Sequence, residues 1–346
     1  MIMKNSKIKY KLALYLMASI FIGIVSSCST NDTDDALTAA PVITSVSKAE
    51  EGDLAPTSIG YANNMYIIRG SGFMGLEKIY INDTDTYFNP TLVTDSSIFV
   101  TVDEDTPYEN VSDEIMLVTS SGSVAYHFVI APPAPQILRG FNPVNANEGD
   151  EVTIYGNFFL DPIVTFGTTE AEVISSTLTE IVVKTPAGAD KQYVTVTTIS
   201  GSVTSTYAVG TALYDDIWYF GWDVEPWNNH TYHTDTTAAQ GTTYYKKEMG
   251  AWDNIQGNWL WDDQLADYAG IRISIKGPDG GMLKLVFNSN WEANPPIFDV
   301  TPEWQEYTFT WEELLNADHV QNITFQEFTG NGGEYYFDNI GYILKE

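Results

Sequence analysis

Ile68-Arg69-Gly70-Ser71-Gly72-Phe73 returns 86 residues later as Ile154-Tyr155-Gly156-Asn157-Phe158-Phe159. In both copies a β-branched run stops at a glycine and restarts with phenylalanine, the pattern of a strand leaving its sheet through a tight turn. Two further pairs flank this one. Pro41-Val42-Ile43-Thr44-Ser45-Val46 is answered by Pro135-Gln136-Ile137-Leu138-Arg139-Gly140-Phe141, at an offset of 94. Val118-Thr119-Ser120-Ser121-Gly122-Ser123-Val124 is answered by Thr197-Thr198-Ile199-Ser200-Gly201-Ser202-Val203, at an offset of 79. The offset shrinks along the chain because the first copy has longer loops. A repeated module of about 80 to 90 residues made of short strands is the size of a small β-sandwich.

Outward from the repeat, the chain continues to read as strands. Residues 65–68, 79–81, 98–102 and 115–119 are short β-branched runs separated by Gly, Asn, Asp and Ser. No window of 15 residues keeps a helical period, so the fold class is all-β. The repeat motifs resemble the IPT/TIG immunoglobulin-like fold, with its opening proline, Gly-x-Gly-Phe turn, Val-x-Phe-Gly strand and late Ser-Gly hairpin. Val164-Thr165-Phe166-Gly167 supplies the third feature in copy two, and Ile79-Tyr80-Ile81-Asn82 is its weaker counterpart in copy one. Copy two replaces the second turn glycine by Asn157-Phe158, and Asn157 is expected to supply the positive φ there. The resemblance implies one sandwich over residues 41–131 and a second over 134–210. The proline-rich Ala131-Pro132-Pro133-Ala134-Pro135 forms a stiff junction between them. Such domains are commonly spacers, and the fold alone assigns no function.

The N-terminus has the three parts of a secretory signal over residues 1–27. Lys4, Lys7, Lys9 and Lys11 precede an apolar run from Leu12 to Val25, too short for a comfortable membrane span. Val25-Ser26-Ser27-Cys28 resembles the lipobox of bacterial lipoproteins, which makes Cys28, the single cysteine of the chain, the lipidation site. Residues 28–40 then form an acidic tether similar to the export signal of Bacteroidetes surface lipoproteins. That reading expects an outer-membrane lipoprotein, palmitoylated or otherwise acylated, facing the cell exterior.

The 346 residues hold 16 Lys and Arg against 46 Asp and Glu, a net charge of −30. Removing the signal leaves 12 basic and 46 acidic residues, a net charge of −34. This balance argues against nucleic acid as a partner, since phosphates require basic side chains.

All nine tryptophans lie between Trp218 and Trp311, and 26 of the 46 aromatics fall in residues 213–346. Runs at 271–276, 282–287, 307–311, 323–328 and 335–343 read as strands, with one helical turn expected at 311–315, so this third is a jelly-roll or β-sandwich. Phe337-Asp338-Asn339-Ile340-Gly341 resembles the closing strand of sandwich-type carbohydrate-binding modules, and Pro302-Glu303-Trp304-Gln305-Glu306-Tyr307-Thr308-Phe309 resembles their Trp-led penultimate segment. The order of lipobox, tether, two IPT/TIG modules and aromatic sandwich is similar to that of surface glycan-binding proteins from polysaccharide utilisation loci, the xyloglucan-binding ones in particular. The resemblance implies capture of a neutral polysaccharide for a SusC/SusD-type importer. It also implies a structural calcium at Asp338; no cofactor is otherwise required.

The chemistry of that ligand agrees with the composition. A sugar ring has an apolar C–H face that an exposed indole covers at small entropic cost, while amides bond its hydroxyl rim. With 6 basic and 22 acidic residues, the last third repels sulfated or uronate polymers. Trp218 and Trp222, on one face of an expected strand around Phe220, read as core, as do Trp304 and Trp311. Trp252, Trp259, Trp261 and Trp291 sit in polar loops and read as glycan platforms. Trp227, Asn288, Asn290 and Gln326 complete the candidate site. His230 and His233 with Asp235 lack a third ligand and an aligning helix, so a zinc site is not expected. Two alternatives share the same stalk. A surface adhesin would bind a host protein, and a glycoside hydrolase would need paired carboxylates among Glu248, Asp253, Asp262, Asp263 and Glu292, to which no motif assigns roles.

Overall fold

The computed structural model describes residues 39–50, 54–257, 261–263, 265–292 and 294–345, so Cys28 and Trp259 lie outside the described residues. Residues 40–346 form one compact unit. Among the described residues the single helical element is a 3₁₀ turn at Pro226–Asn228, and everything else regular is strand.

The repeat reappears as topology. Copy one contributes eight strands: Val42–Lys48, Met65–Ser71, Leu76–Ile81, Thr84–Thr86, Phe88–Val93, Ser97–Thr101, Glu114–Thr119 and Gly122–His127. Copy two contributes Gln136–Asn142, Glu151–Asn157, Ile163–Phe166, Thr169–Glu170, Glu172–Ser176, Glu180–Lys184, Tyr193–Thr198 and Gly201–Ala208. Counted in order within each copy, one sheet runs 1-2-6-5 and the other 4-3-7-8, identically in both. Copy one adds a parallel pair, Ile59–Tyr61 with Val129–Ala131, which uses part of its extra length. Each sandwich closes over its own apolar core, Ile68, Ile79, Ile115 and Leu117 in the first and Ile154, Val164, Ile181 and Val196 in the second.

The repeated glycines have a steric cause. A Cβ on Gly70 would lie 1.8 Å from the Val42 carbonyl oxygen and 2.6 Å from the Phe73 ring. A Cβ on Gly156 would lie 1.9 Å from the Gln136 oxygen and 2.3 Å from Phe159. The first strand crosses so closely that only hydrogen fits. The positive φ following it falls at Gly72 (74°) in copy one and at Phe158 (63°) in copy two, so the expectation that Asn157 takes this role is corrected. Gly167 (58°) and Asn82 (48°) are likewise equivalent left-handed turn residues, which explains how copy one manages without the glycine.

The C-terminal sandwich pairs a larger and a smaller antiparallel sheet. The larger runs Thr231–Thr234, Thr243–Met249, Gly333–Leu344, Tyr268–Lys276, Gln305–Thr310, with Ala212–Tyr214 pairing against Gly333–Leu344. The smaller runs Asn254–Gln256, Ile323–Glu327, Gly281–Phe287, Ile297–Val300. Ile271, Ile273 and Ile275 of one face Leu283, Leu285 and Phe325 of the other, and each such fully buried side chain contributes about 1.5–3 kcal/mol.

Two local expectations change. Residues 217–222 form a turn, not an alternating strand, because Phe220 (φ 56°) and Gly221 (φ 79°) reverse the chain. Trp222 is buried in the core, and Trp218, half-buried, packs against it while donating its indole N–H to the Tyr232 hydroxyl at 2.8 Å. Trp304 is not core. It lies half-buried beyond the larger sheet, donating to the Thr237 carbonyl at 2.6 Å, with the Lys276 ammonium 4.9 Å from its ring. Trp311 does pack on the core, and the turn it opens ends at Leu315 and Asn316, both in the left-handed region.

Candidate functional site

Strand alternation turns Ile255, Phe325, Leu283 and Leu285 inward, so Asn254, Gln256, Gln326, Met282 and Lys284 line the opposite face of the smaller sheet, where Thr324 and Val286 are covered. Register places Asn254 beside Gln326, Gln326 beside Lys284, and Lys284 beside Ile297. A row of two amides and an ammonium therefore crosses the face.

Aromatic rings flank that row on either side, toward opposite ends of the strands. The Phe328 ring meets Trp252 edge to face at 5.4 Å, and Phe328 donates its backbone N–H to Met282 at 2.9 Å, which fixes it at one end of the strand. At the other end, the loop after Phe287 carries Trp291. The Lys284 ammonium sits between them, 5.7 Å from the Phe328 ring and 5.9 Å from the Trp291 ring. Trp252 is 53% exposed and Trp291 42%. Trp227, 58% exposed, belongs to the 3₁₀ turn at the sheet edge, where the neighbouring Asn228 is bonded to both the N–H and the carbonyl of Gln256.

The Trp252 turn is rigidly built. Buried Glu327 accepts the Trp252 N–H at 2.9 Å, the Thr329 N–H at 2.8 Å and the Gly330 N–H at 3.1 Å, as well as the Thr329 hydroxyl. Burial pushes the Glu327 carboxyl up, but the bonds from Thr329, Trp252 and Gly330 outweigh it and hold the group below its ordinary range. Gln326 donates to the Trp252 carbonyl at 3.1 Å, and Lys247 ties Asp253 and the Asn254 carbonyl into the same turn. Trp252 itself has φ 61°, and a Cβ on Gly330 would come within 3.0 Å of its ring.

The remaining candidates separate from this face. Trp261, 60% exposed, stacks on His319 with centroids 3.6 Å apart and planes at 11°. It lines a different hollow, shared with Phe220, Tyr268, Tyr342 and Lys191. Asn288 spends both ends of its amide on the chain, donating to the His319 carbonyl at 2.8 Å and accepting from Gln321 N–H at 2.7 Å. It is a brace for the Trp291 loop, and the expectation of a sugar-binding amide is corrected accordingly. Asn290 is exposed next to Trp291. Phe328, Lys284, Asn254, Gln256 and Glu327 were not among the candidates. Their signal was present in the alternation of 282–287 and 323–328, which marks an outward row once both strands are known to be neighbours.

Residues 136–212 match the IPT/TIG domain family. The match falls on the second of the two sandwiches. An IPT/TIG domain-containing protein of Bacteroides ovatus is 30% identical over 159 residues, 45% of this chain, and the chain spans about a third (32%) of that relative's length. The surface glycan-binding protein PbSGBP-B from Prevotella bryantii superposes with a TM-score of 0.50 at 14% identity, covering 89% of this chain and 99% of its own. SGBP-B from a complex xyloglucan utilization locus in Bacteroides uniformis gives 0.39 at 15% identity, covering 88% and 100%.

The IPT/TIG domain is fused to the sandwich by a polar seam. Arg139 donates to the Gly241 carbonyl at 2.8 Å, Gln240 to the Phe141 carbonyl at 2.7 Å, and Asn142 to Asp216 at 2.6 Å. Arg272, on the opposite side of its strand from Ile271 and Ile273, is fully buried because the Tyr207 ring of the IPT/TIG domain lies 4.5 Å from its guanidinium. Asp338 is buried at the same seam and does not fit a calcium ion. Its carboxylate receives the N–H groups of Ala239 and Gln240 at 2.9 Å and of Asn339 at 2.7 Å, which occupy the lone pairs a cation requires. Among the described residues no group of three or more His, Cys, Asp or Glu side chains converges.

Proposed function

We propose that this chain binds a neutral polysaccharide of the β-glucan or xyloglucan class at the cell surface, without cleaving it. The carrying observation is the outward face of the smaller sheet, where the Asn254–Gln326–Lys284 row lies between Trp252 with Phe328 on one side and Trp291 on the other. Indoles cover the apolar faces of sugar rings, and the amides and ammonium bond hydroxyls between them. The acidic surface turns away anionic polymers. Glu327, buried behind the Trp252 turn, is consumed by four hydrogen bonds and acts as a scaffold. The likeness in fold to a surface glycan-binding protein supports the same reading.

Within that reading, acylation of Cys28 tethers the protein to the outer membrane, the two immunoglobulin-like sandwiches hold the binding face away from it, and captured polymer passes to a SusC/SusD-type importer. Affinity electrophoresis tests the core of the proposal. Native gels containing xyloglucan or mixed-linkage β-glucan retard the mature protein, gels containing polygalacturonate do not, and no reducing ends are released. Equal mobility in all gels would sink the glycan reading, and release of reducing ends would restore the hydrolase.

A further inference from the structure

Two strongly exposed rings outside the Trp252–Trp291 face, Trp261 and Phe220, share a hollow. Trp261 and Phe220 line one hollow of about 650 Å³, together with Tyr268, Tyr342, Lys191 and Asp267. That volume falls within the roughly 300–1,000 Å³ typical of small-ligand sites. Lys191 and Gly210 belong to the IPT/TIG segment and the other lining residues to the sandwich, so the hollow straddles the seam. Phe220, 65% exposed and held at φ 56°, also lines a second hollow of about 520 Å³ that includes Asn145, Asn147 and Glu148.

Trp261 is built as a platform. The His319 imidazole covers one face of its indole at 3.6 Å, so its exposure belongs to the other face and the edges. His319 is itself held by Asp318 at 2.6 Å and, through its carbonyl, by Asn288 at 2.8 Å. Asn288 lies three residues before Trp291, so one loop carries a wall of the first face and the prop beneath the second ring. A ring fixed before the ligand arrives loses little entropy on binding.

The charges around the hollow select the ligand. Lys191 is paired with Asp267 at 2.5 Å and Lys345 donates to the Ala266 carbonyl at 2.6 Å, so both cations at the hollow are engaged, while Asp262 and Asp190 stand nearby. An anionic polymer or an acidic protein is repelled, whereas a ring with C–H faces and hydroxyl edges suits stacked aromatics rimmed by carboxylate acceptors.

We propose that Trp261 and Phe220 form a second subsite for the same neutral glucan, which lets a long chain engage the protein at two places. This rests on the glycan reading above. Linking two weak contacts through one polymer raises avidity without raising affinity for a short oligosaccharide.

The test compares W261A/F220A and W252A/W291A with the unaltered protein, in native gels containing xyloglucan or mixed-linkage β-glucan and by calorimetry with a β-glucan tetrasaccharide. The proposal expects W261A/F220A to weaken retardation at least about tenfold while tetrasaccharide affinity stays within about twofold, and Trp261→Phe to restore most of the retardation. Unchanged retardation in W261A/F220A overturns the second subsite and leaves the first reading standing. If W261A/F220A abolishes all binding and W252A/W291A none, the subsite is the principal site and the two-place proposal fails. If the unaltered protein is not retarded by either polymer, both readings fall together.

Discussion

The Glu327 carboxylate accepts the backbone N–H of Trp252 at 2.9 Å across 75 residues of sequence, and it does so from a fully buried position. A strand of the smaller sheet thereby fixes the angle at which an exposed indole leaves the preceding turn. Replacing Glu327 with Gln keeps the shape but turns an amide N–H₂ toward donors. We expect a stability loss of about 2 kcal/mol, read by urea denaturation, and polymer affinity weakened by roughly tenfold although Glu327 touches no sugar. Because its carboxyl is held below the ordinary Glu range, this contribution is present above the unfolded pKa near 4.5 and disappears as pH falls through the lower folded value. Stability to urea should therefore fall as pH is lowered from 6 to below 4.5, and the fall should be smaller in Glu327→Gln.

Trp252, Trp291 and Gln326 differ from Glu327 in lying on the face itself. Trp252→Ala and Trp291→Ala remove exposed rings, so melting should move little while affinity drops at least about tenfold, the range expected for a stacking contact of 1–3 kcal/mol. Gln326→Ala should cost less, roughly fivefold, because it loses one hydroxyl partner and one bond to the Trp252 carbonyl. Wild-type affinity in both tryptophan variants would move the site elsewhere.

The repeat and the all-β class were legible because they depend on local facts, the glycine at a close crossing and the period of two. Gly70 and Gly156 announce themselves in any reading that looks for turns. Arg272 did not, since alternation reports which side of a sheet a residue faces and says nothing of a second domain lying on that side. Asn288 misled for a related reason. An asparagine bracing a loop and an asparagine bonding a sugar look alike in sequence, and only its two backbone partners decide between them. Trp252 and Trp261 lie nine residues apart and were grouped together, yet Trp252 leans on Phe328 and Trp261 on His319.

Asp338 carries a prediction opposite to the one its motif resemblance suggests. Its oxygens face three backbone N–H donors, so adding calcium or a chelator should leave the melting temperature unchanged. A chelator-induced drop of several degrees would mean that the carboxylate rearranges to accept a cation.

Gly156→Ala tests the steric account of the repeat. The added Cβ meets a backbone oxygen at 1.9 Å, and the strand Gln136–Asn142 must shift to admit it. Overpacking of this kind costs about 1–3 kcal/mol. Gly70→Ala should cost a similar amount in the first sandwich, because the Val42 oxygen stands at 1.8 Å. Denaturation curves with both variants near wild type would show that the first strand moves aside freely.

The seam between the IPT/TIG domain and the sandwich should respond to pH through Asp215. Burial pushes its carboxyl up to about 7, only partly opposed by the hydrogen bond from the Val144 N–H. A folded pKa above the unfolded value near 3.8 means that the native state holds the proton more tightly. Its contribution is complete below that unfolded value and is lost as pH rises through about 7, at up to about 1.4 kcal/mol per pH unit. Melting temperature should accordingly fall between pH 5 and pH 8. Asp215→Asn, which stays neutral throughout, should flatten that decline and be the more stable protein at pH 8. An identical slope in the variant would assign the pH response to other groups, with Asp338, also pushed upward by burial, the next to replace.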